Sequence, residues 1–282
     1  MSYKIIKTLG KGKYGTVELA DSVKYGKVAI KTSKAASLAH YNINLNEVKI
    51  LETITKDGLC PWNIKIYEHE RLAGTNLRLI MEYFEGFSLD NIKLKWTDKV
   101  ADDSYGRWNM VKNELFKAVS CLHKRYNIVH RDIKSQNCMF DEKQFKLVDF
   151  GFACYIDDIG KKKHCQMLAG TPYYMSPEAL DADTHKRKPT WDELKASDIW
   201  AVGQTLFALA HGRKLYEFPG TDMKTLERRI LENAPEKYLQ DPESKLSLGK
   251  WTDTIHRVVL MLSEFDIMKR QANFEQLLAE IS

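Results

Sequence analysis

Three polar side chains with catalytic chemistry lie close together in the sequence: Asp132, Asn137 and Asp149. The first two belong to His130-Arg131-Asp132-Ile133-Lys134-Ser135-Gln136-Asn137, and Asp149-Phe150-Gly151 begins twelve residues after Asn137. Phosphoryl transfer from ATP to a hydroxyl requires a carboxylate that accepts the hydroxyl proton and oxygen ligands for Mg²⁺ on the phosphates. Either tripeptide alone occurs readily by chance. Both together, in this order and with Asn137 at this offset, indicate phosphoryl transfer.

A glycine-rich segment nearer the N-terminus has the composition of a phosphate-binding turn. It reads Gly10-Lys11-Gly12-Lys13-Tyr14-Gly15-Thr16-Val17 and connects two strand-like runs. Because glycines lack side chains, a hairpin backbone can close over phosphates and offer N–H groups to them. An ordinary glycine hairpin has the same composition, so the segment alone is weak support. It does not open a helix, which argues against a dinucleotide-binding unit.

The two patterns together resemble the catalytic core of a eukaryotic-type protein kinase. Lys31, in Val28-Ala29-Ile30-Lys31, follows the glycine-rich segment in the form in which that family places its phosphate-pairing lysine. Glu47 lies on a predicted helix and resembles the glutamate that holds this lysine. Glu52 is the weaker candidate, because a helix with Glu52 facing inward would turn Leu51 away from the core.

The resemblance implies an ATP site next to a hinge. Met81-Glu82-Tyr83-Phe84-Glu85-Gly86 is similar to that hinge, where backbone groups of Glu82 and Phe84 would meet the adenine. An apolar slot with a few backbone hydrogen bonds is the usual form of such a site. The expected ATP-binding residues are Leu9, Gly10, Lys11, Gly12, Lys13, Tyr14, Gly15, Thr16, Val17, Ala29, Lys31, Met81, Glu82, Phe84, Met139 and Asp149.

The same resemblance implies catalytic roles. Asp132 would orient the substrate hydroxyl and accept its proton, and Lys134 would neutralise charge on the transferring phosphoryl group. Asn137 and Asp149 would bind Mg²⁺ through hard oxygen atoms. Lys134, together with a peptide-seating segment in which Thr171 would bond Asp132 and Lys134, favours a serine/threonine kinase. The expected catalytic residues are Lys31, Glu47, Asp132, Lys134, Asn137 and Thr171.

Structural motifs extend the resemblance over residues 3–282. Arg270 resembles the arginine that pairs with the last residue of the peptide-seating segment, Gly170–Glu178. Asp198 resembles the anchor of a packed column joining the lobes, with members Leu51, Ile66, His130 and Phe150. Three motifs resemble those of the NIMA-related kinases more than those of other kinases: His130–Asn137, Gly170–Glu178 and Ser197–Gly203.

Hydrophobic periodicity predicts an α+β fold with two lobes. Residues 3–84 alternate mostly as strands do, apart from a helical period over 44–53, and the pattern beyond residue 86 is helical. We therefore expect one protein-kinase-like domain over residues 1–282. It would have a small antiparallel N-lobe (1–84), a hinge near 82–86 and a larger helical C-lobe (85–282). Residues 95–105 and 183–195 are predicted as inserted loops.

The composition is that of an ordinary globular chain of 282 residues, with 44% hydrophobic residues, 29% charged residues and a net charge of +5. Its densest basic clusters, Lys161–Lys163 and Lys186–Lys188, are interpreted as solvated loops rather than docking or polyanion sites. A protein substrate is expected, with no nucleic acid or membrane partner, and the chain is expected to be monomeric. The N-terminus has no signal-peptide pattern, and Ile199–Ala210 is too short to span a bilayer, which takes ~20 apolar residues.

The cysteines favour a reducing, intracellular compartment, either cytoplasm or nucleus. They are odd in number and show no Cys-x-x-Cys spacing, which argues against a disulfide framework and against a zinc site. They are Cys60, Cys121, Cys138, Cys154 and Cys165.

Two other functions are weighed against a protein kinase that uses ATP and Mg²⁺. A pseudokinase scaffold would be expected to lack at least one of the four motif residues, and the sequence retains Lys31, Asp132, Asn137 and Asp149. A small-molecule or lipid kinase on a related fold would be expected to lack the peptide-seating segment, which is also present. Phosphorylation of protein serine or threonine is the favoured prediction.

Overall fold

A five-stranded antiparallel sheet forms the N-terminal lobe, in the order β1-β2-β3-β5-β4. The structure, a computed structural model, describes residues 3–12, 15–35, 37–96, 103–159, 161–166, 169–218, 220–232, 235–239 and 248–281. The glycine-rich segment connects β1 to β2, as predicted. The strands are β1 (Tyr3–Gly12), β2 (Gly15–Ser22), β3 (Gly26–Ser33), β4 (Ile66–Arg71) and β5 (Leu77–Glu82).

The register of this sheet gathers four predicted ATP-binding residues on one face. Val17 lies opposite Lys31, and Ala29 lies opposite Met81. Alternate side chains of a strand point to the same face, so Ala29 and Lys31 share a face of β3. Their partners on the adjacent strands extend that face to both sides.

The helix α1 (Leu38–Lys56) packs against the sheet. Its N-terminus is capped by Ser37, whose Oγ accepts a hydrogen bond from the backbone N–H three residues on. Val48 and Leu51 are buried on the inner face, and so is the carboxylate-bearing Glu47. The helix is longer than the predicted 44–53. The prediction missed its first turns because they carry several polar residues and lack a clear apolar period.

Helices make up most of the chain beyond residue 86, which confirms the predicted two-lobed α+β fold. The short strands β6 (Phe87–Ser88), β8 (Cys138–Phe140) and β9 (Phe145–Leu147) form one sheet, and β7 (Ile128–Val129) pairs with β10 (Cys154–Tyr155). The helices are α2 (Ser104–Arg125), α3 (Lys163–Gln166), α4 (Pro177–Thr184), α5 (Trp191–His211), α6 (Met223–Glu232), α7 (Glu236–Leu239), α8 (Thr252–Leu262) and α9 (Ile267–Ala279).

Helix α5 forms the buried centre of the helical lobe. A capping box starts it, in which Thr190 Oγ1 accepts from the Glu193 N–H and the Glu193 carboxylate accepts from the Thr190 N–H. Most of its residues from Leu194 to Ala210 are buried. Within the described part of the chain, neither α5 nor any other helix combines the length and apolarity needed to cross a membrane.

The two predicted insertions have different outcomes. The prediction of a loop over 183–195 is wrong in part, because α4 continues to Thr184 and α5 begins at Trp191. The capping box and the apolar residues of the first turn extend α5 toward its N-terminus. The predicted insertion at 95–105 lies partly outside the described residues, and α2 begins within it at Ser104.

Buried polar contacts connect the loop that starts at His130 to α5, and Glu178 of α4 to α9. Asp198 accepts hydrogen bonds from the backbone N–H groups of His130 and Arg131, both at 2.8 Å. Arg270 is fully buried and donates to Glu178 at 2.6 Å, so the predicted ion pair is present in the structure. The predicted column residues are all buried: Leu51, Ile66, His130 and Phe150.

Four of the five cysteines form disulfides, contrary to the expectation from their spacing. Cys60 is bonded to Cys121 and Cys154 to Cys165, with Cα atoms 6.1 and 6.0 Å apart, while Cys138 is a buried free thiol. The prediction was wrong because a spacing rule considers only neighbours in the sequence. The fold brings residues 61 and 11 positions apart into bonding range.

Candidate active site

A cleft of about 450 Å³ lies between the N-terminal sheet and the helical lobe. Three residues that were not among the predicted ATP-binding residues also line this cleft: Ile64, Gln136 and Val148. Gln136 and Val148 each precede a motif residue, which was a usable signal, whereas only tertiary packing brings Ile64 there. The predicted ATP-binding residues in its wall are Leu9, Gly10, Val17, Ala29, Lys31, Met81, Glu82, Phe84, Met139 and Asp149.

Part of the predicted glycine-rich site lies in the hairpin above this cleft and outside its wall. Gly12 pairs with Gly15 at the hairpin end, and a Cβ atom on Gly15 would lie 2.2 Å from the carbonyl oxygen of Thr32. Glycine is therefore required for this close approach of two strands. Lys11 and Thr16 lie in the same hairpin. Lys13 and Tyr14 lie outside the described residues.

Lys31 connects α1 to the segment that follows the catalytic loop. Its Nζ lies 2.6 Å from Glu47 Oε1 and 2.8 Å from Asp149 Oδ1. Burial by itself lowers the pKa of Lys31, but the two carboxylates outweigh burial and raise the pKa above its ordinary value. The nearby lysine charge lowers the pKa of Asp149 to about 2, so this carboxylate is ionised at neutral pH.

Asp132 is the centre of a hydrogen-bonded group in the catalytic loop. Its Oδ1 accepts from Thr171 Oγ1 at 3.0 Å, and its Oδ2 accepts from Lys134 Nζ at 2.7 Å and from Asn137 Nδ2 at 3.1 Å. Lys134 Nζ also donates to Thr171 Oγ1 at 2.8 Å. The carboxylate is 4% exposed, so these donors determine its orientation.

Strained backbone occurs next to this group and at Asp149. Arg131 and Asp149 have φ values of 68° and 64°, a region that costs non-glycine residues about 1–3 kcal/mol. Gly170 has φ 109°, and a Cβ atom there would lie 2.8 Å from the Arg131 carbonyl oxygen. Glycine at this position therefore allows the chain carrying Thr171 to lie directly against the catalytic loop.

Asn137 and Asp149 have the chemistry of a Mg²⁺ site. Asn137 donates through Nδ2 to the Asp132 carbonyl and carboxylate, which leaves its carbonyl oxygen Oδ1 as the ligand atom. The Val148 N–H donates to the Asn137 backbone carbonyl at 2.9 Å, so the two segments lie side by side. The ionised Asp149 carboxylate, 46% exposed, faces the cleft. One neutral and one anionic oxygen ligand, with room for phosphate oxygens and water, fit this metal.

A second cavity of about 440 Å³ is lined by Asp132, which does not line the nucleotide cleft. Thr171 and Met175 of the peptide-seating segment line it, and so do Lys186 and Lys188. Asp132 thus borders a space that an extended peptide could enter.

A small antiparallel lobe over a helical one, with the Lys31–Glu47–Asp149 group in the cleft and the Asp132–Thr171 pair in the wall of the second cavity, defines a protein kinase domain. The family model described as "Protein kinase domain" matches residues 3–279. The chain belongs to this family. Its closer resemblance to the NIMA-related kinases stays a prediction.

Several curated proteins are similar to the chain. Serine/threonine-protein kinase KIC1 of Saccharomyces cerevisiae is 32% identical over 88% of this chain and 21% of its own length. Serine/threonine-protein kinase CST20 of Candida albicans is 30% identical over 84% of this chain and 18% of its own length. Serine/threonine-protein kinase Nek9 of Mus musculus is 30% identical over 77% of this chain and 21% of its own length. The chain therefore spans about a fifth of the length of these relatives.

Proposed function

We propose that this protein transfers the terminal phosphoryl group of ATP to serine or threonine hydroxyls of protein substrates. The observation that carries the proposal is the arrangement around Asp132, whose carboxylate accepts from Thr171, Lys134 and Asn137. An acceptor hydroxyl entering between the two cavities would meet an oriented base beside a lysine. The similar proteins are named as serine/threonine-protein kinases, which agrees with this proposal.

The roles proposed for the individual residues follow from their contacts. Asp132 orients the hydroxyl and accepts its proton, and the Lys134 ammonium compensates negative charge on the transferring group. Lys31, held by Glu47, positions the α- and β-phosphates. Mg²⁺, when bound by Asn137 and Asp149, would neutralise charge on the phosphate oxygens.

The adenine is proposed to bind in the inner part of the cleft. Ala29 and Val17 would lie above its ring and Met139 below it. Glu82 is held at the end of β5, because its N–H donates to the Lys65 carbonyl at 2.9 Å and its carboxylate lies 3.1 Å from Lys146. A hinge fixed in this way would present its backbone to the adenine edge in one geometry.

Two competing functions can be separated from this one by a single assay. We would incubate the protein with radiolabelled ATP and an arrayed peptide library, with and without Mg²⁺, beside reactions offered phospholipid vesicles or small alcohols. Label on serine and threonine peptides, dependent on Mg²⁺, is the expected result. Nucleotide binding without any transfer would favour a pseudokinase scaffold, and label on the lipid or the alcohol alone would favour a kinase of small molecules.

We further propose an intracellular location and a monomeric state for this domain. ATP as co-substrate favours the first, whereas the two disulfides remove the support that the cysteine spacing had given to it. The basic clusters at 161–163 and 186–188 carry no argument for a nucleic acid, because Lys162 and Arg187 are engaged in ion pairs with Asp158, Asp181 and Glu193.

We expect activity to be independent of phosphorylation in the activation segment, defined as residues 149–178. Arg131, the residue before the proposed base, often pairs with a loop phosphate in this family. Residues 152–169 contain neither serine nor threonine, and Tyr155 is the one hydroxyl among them. Phosphatase-treated protein should therefore retain most of its kcat/KM for a peptide. A large loss that is restored by phosphate on an activation-segment residue would contradict this expectation.

We expect serine to be preferred over threonine by about tenfold. Phe152, directly after Asp149-Phe150-Gly151, lies beside the acceptor side chain in this family, and its broad ring would restrict the position of the threonine methyl. One methyl group discriminates by only ~1–3 kcal/mol, so the preference is incomplete. The ratio of kcat/KM for paired Ser and Thr peptides measures it. Phe152→Val should shift the ratio toward threonine, and Phe152→Tyr, which keeps the ring, should not. Equal ratios in all three proteins would refute the role of Phe152.

A further inference from the structure

A disulfide closes a loop inside the activation segment. Cys154 lies in β10 and Cys165 in α3, and the bonded pair is separated by 11 positions. Both side chains are fully buried. The loop between them carries the exposed Lys161, so its surface faces solvent while its two ends are joined in the interior.

The disulfide belongs to a small hydrophobic cluster that connects three parts of the helical lobe. Val129 of β7 and Leu194 of α5 pack with the two cysteines, and Trp191 packs against the same cluster. Trp191 and Leu194 lie in the first turns of α5, in the stretch where this chain is longer than the family pattern. The added residues thus cover the cross-link, and they give the longer stretch a structural role.

Arg131 contacts both ends of the cross-linked loop. Its Nη1 lies 3.3 Å from Cys154 Sγ and 3.4 Å from the Phe152 carbonyl oxygen, and it donates to the His164 carbonyl oxygen at 3.0 Å. Burial lowers the pKa of Arg131 to about 10, which still leaves the guanidinium charged at neutral pH. The arginine that would receive a loop phosphate therefore holds the backbone next to the two cysteines.

The same loop is bonded to α1, the helix that carries Glu47. Asn46 donates through Nδ2 to the Ala153 carbonyl at 2.9 Å and accepts from Lys162 Nζ at 3.1 Å. Tyr155 shares a 2.8 Å hydrogen bond with Thr53 of α1. Residues adjacent to Cys154 and near Cys165 thus determine where α1 lies, and with it the Lys31–Glu47 pair.

We propose that the Cys154–Cys165 disulfide is a reversible modification that orders the activation segment in place of a phosphate. When the segment opens, hydrogen peroxide oxidises the two thiols: two S–H bonds and the O–O bond break, one S–S bond and two O–H bonds form, and two water molecules leave. A dithiol reverses the step by exchange and is itself oxidised to its disulfide. The ordering concerns the segment itself, and its effect on phosphoryl transfer rests on the proposed function.

A metal ion is the competing use of the same residues. The ligand atoms of Cys154, His164 and Cys165 lie within 4.8 Å of one another, and His164 Nε2 is buried without a hydrogen-bond partner. Structural zinc sites take four protein ligands, whereas this group supplies three among the described residues. The structure joins the two sulfur atoms to each other, so the disulfide is the favoured use.

The test compares the 282-residue protein after treatment with hydrogen peroxide and after treatment with dithiothreitol. Peptide mapping identifies the cysteine pairs, inductively coupled plasma mass spectrometry measures zinc, and limited trypsin digestion measures cleavage at Lys161–Lys163. In the oxidised protein we expect slow cleavage and fragments that separate only after reduction. In the reduced protein we expect cleavage about tenfold faster and a kcat/KM for peptide about tenfold lower, because the open segment regains conformational freedom.

Two double variants isolate the pair. Cys154→Ala with Cys165→Ala should behave as the reduced protein does and should not respond to dithiothreitol. Cys60→Ser with Cys121→Ser, which removes the other disulfide, should keep the full response. Thermal melting curves identify a variant that does not fold, and in that case the treated natural sequence decides alone.

Three results would overturn the proposal. They are free thiols at Cys154 and Cys165 after peroxide, one zinc per chain bound by those thiols, or a cleavage rate that is the same in both redox states. Redox-dependent cleavage without phosphoryl transfer in either state would support the cross-link and contradict the proposed function, so the two failures are distinguishable.

Discussion

Replacing Asp132 with asparagine is expected to lower kcat for peptide phosphorylation by about 10²–10⁴-fold while ATP affinity changes little. The carboxylate accepts three hydrogen bonds, from Thr171, Lys134 and Asn137. An amide in its place cannot accept the hydroxyl proton, and its NH₂ group would face one of these donors. Base strength and orientation are therefore lost together, whereas Asp132 does not line the nucleotide cleft.

Steady-state kinetics on a peptide and calorimetric titration with ATP and Mg²⁺ separate the two effects. Asp141→Asn is the matched control, because Asp141 lies shortly after Asn137 and, among the described residues, its carboxylate accepts only from the N–H groups of Lys143 and Gln144. Its kcat should stay near that of the natural sequence. An Asp132→Asn protein that phosphorylates peptides at the unaltered rate would end the assignment of Asp132 as base.

The Lys31→Met substitution is expected to reduce kcat/KM by two orders of magnitude or more, since removing a positioned electrostatic contact costs about 10²–10³-fold. The lysine Nζ bridges Glu47 at 2.6 Å and Asp149 at 2.8 Å. Methionine fills a similar volume but leaves the buried Glu47 carboxylate without its cation, which favours its protonation. The phosphates then lose one contact directly, and the link from α1 to the activation segment is lost as well.

Single-turnover kinetics and the melting temperature measure this result. Lys27→Met is the matched control on the same strand, because Lys27 is exposed and reaches only Glu85, at 3.8 Å. The control should lose neither activity nor stability. Full kcat/KM in Lys31→Met would show that the phosphates are positioned by other groups.

Substitution of Lys31 also predicts a change with pH. The charge of Lys31 holds the pKa of Asp149 at about 2, so this carboxylate contributes its stabilising ion pair throughout the neutral range and loses it only as the pH falls toward that value. Without the lysine the folded-state pKa of Asp149 rises toward its ordinary value. Asp149 then takes up its proton at a similar pH in the folded and the unfolded chain, so Lys31→Met should be less stable than the natural sequence at neutral pH and should lose less stability between pH 5 and pH 2. Urea unfolding from pH 2 to pH 7 would record this flatter acid limb.

Much of this architecture could be predicted from the sequence because the signals are local. Helix α8 (Thr252–Leu262) lies in the part of the chain predicted to be helical, since its apolar period is regular. The order of Lys31, Asp132, Asn137 and Asp149 predicted which side chains would converge. Asp132, Asn137 and Asp149 lie close together in the sequence in or beside short loops, so their spacing in the chain reflects their spacing in space. Lys31 instead reaches Asp149 from the distant strand β3.

Tertiary structure decided the remaining features. The sequence favoured Glu47 over Glu52 only through an amphipathic argument, and the fold separates them by placing Glu47 against Lys31 and Glu52 near His69 at the surface. The α5 start at Trp191 was missed, because polar residues dominate the stretch before Lys195 and only the fold packs Trp191 and Leu194 against the disulfide.

The cysteines show most clearly which contacts the sequence could not predict. Their number and spacing argued against disulfides, but the fold brings Cys154 of β10, which pairs with β7, into contact with Cys165 of α3. Ile64 likewise reaches the nucleotide cleft through packing with no motif of its own. Residue types and their short-range order belong to the sequence itself, so the sequence determined the family and pointed to the proposed phosphoryl transfer. Contacts between distant segments depend on how whole elements pack, and only the folded chain decided them.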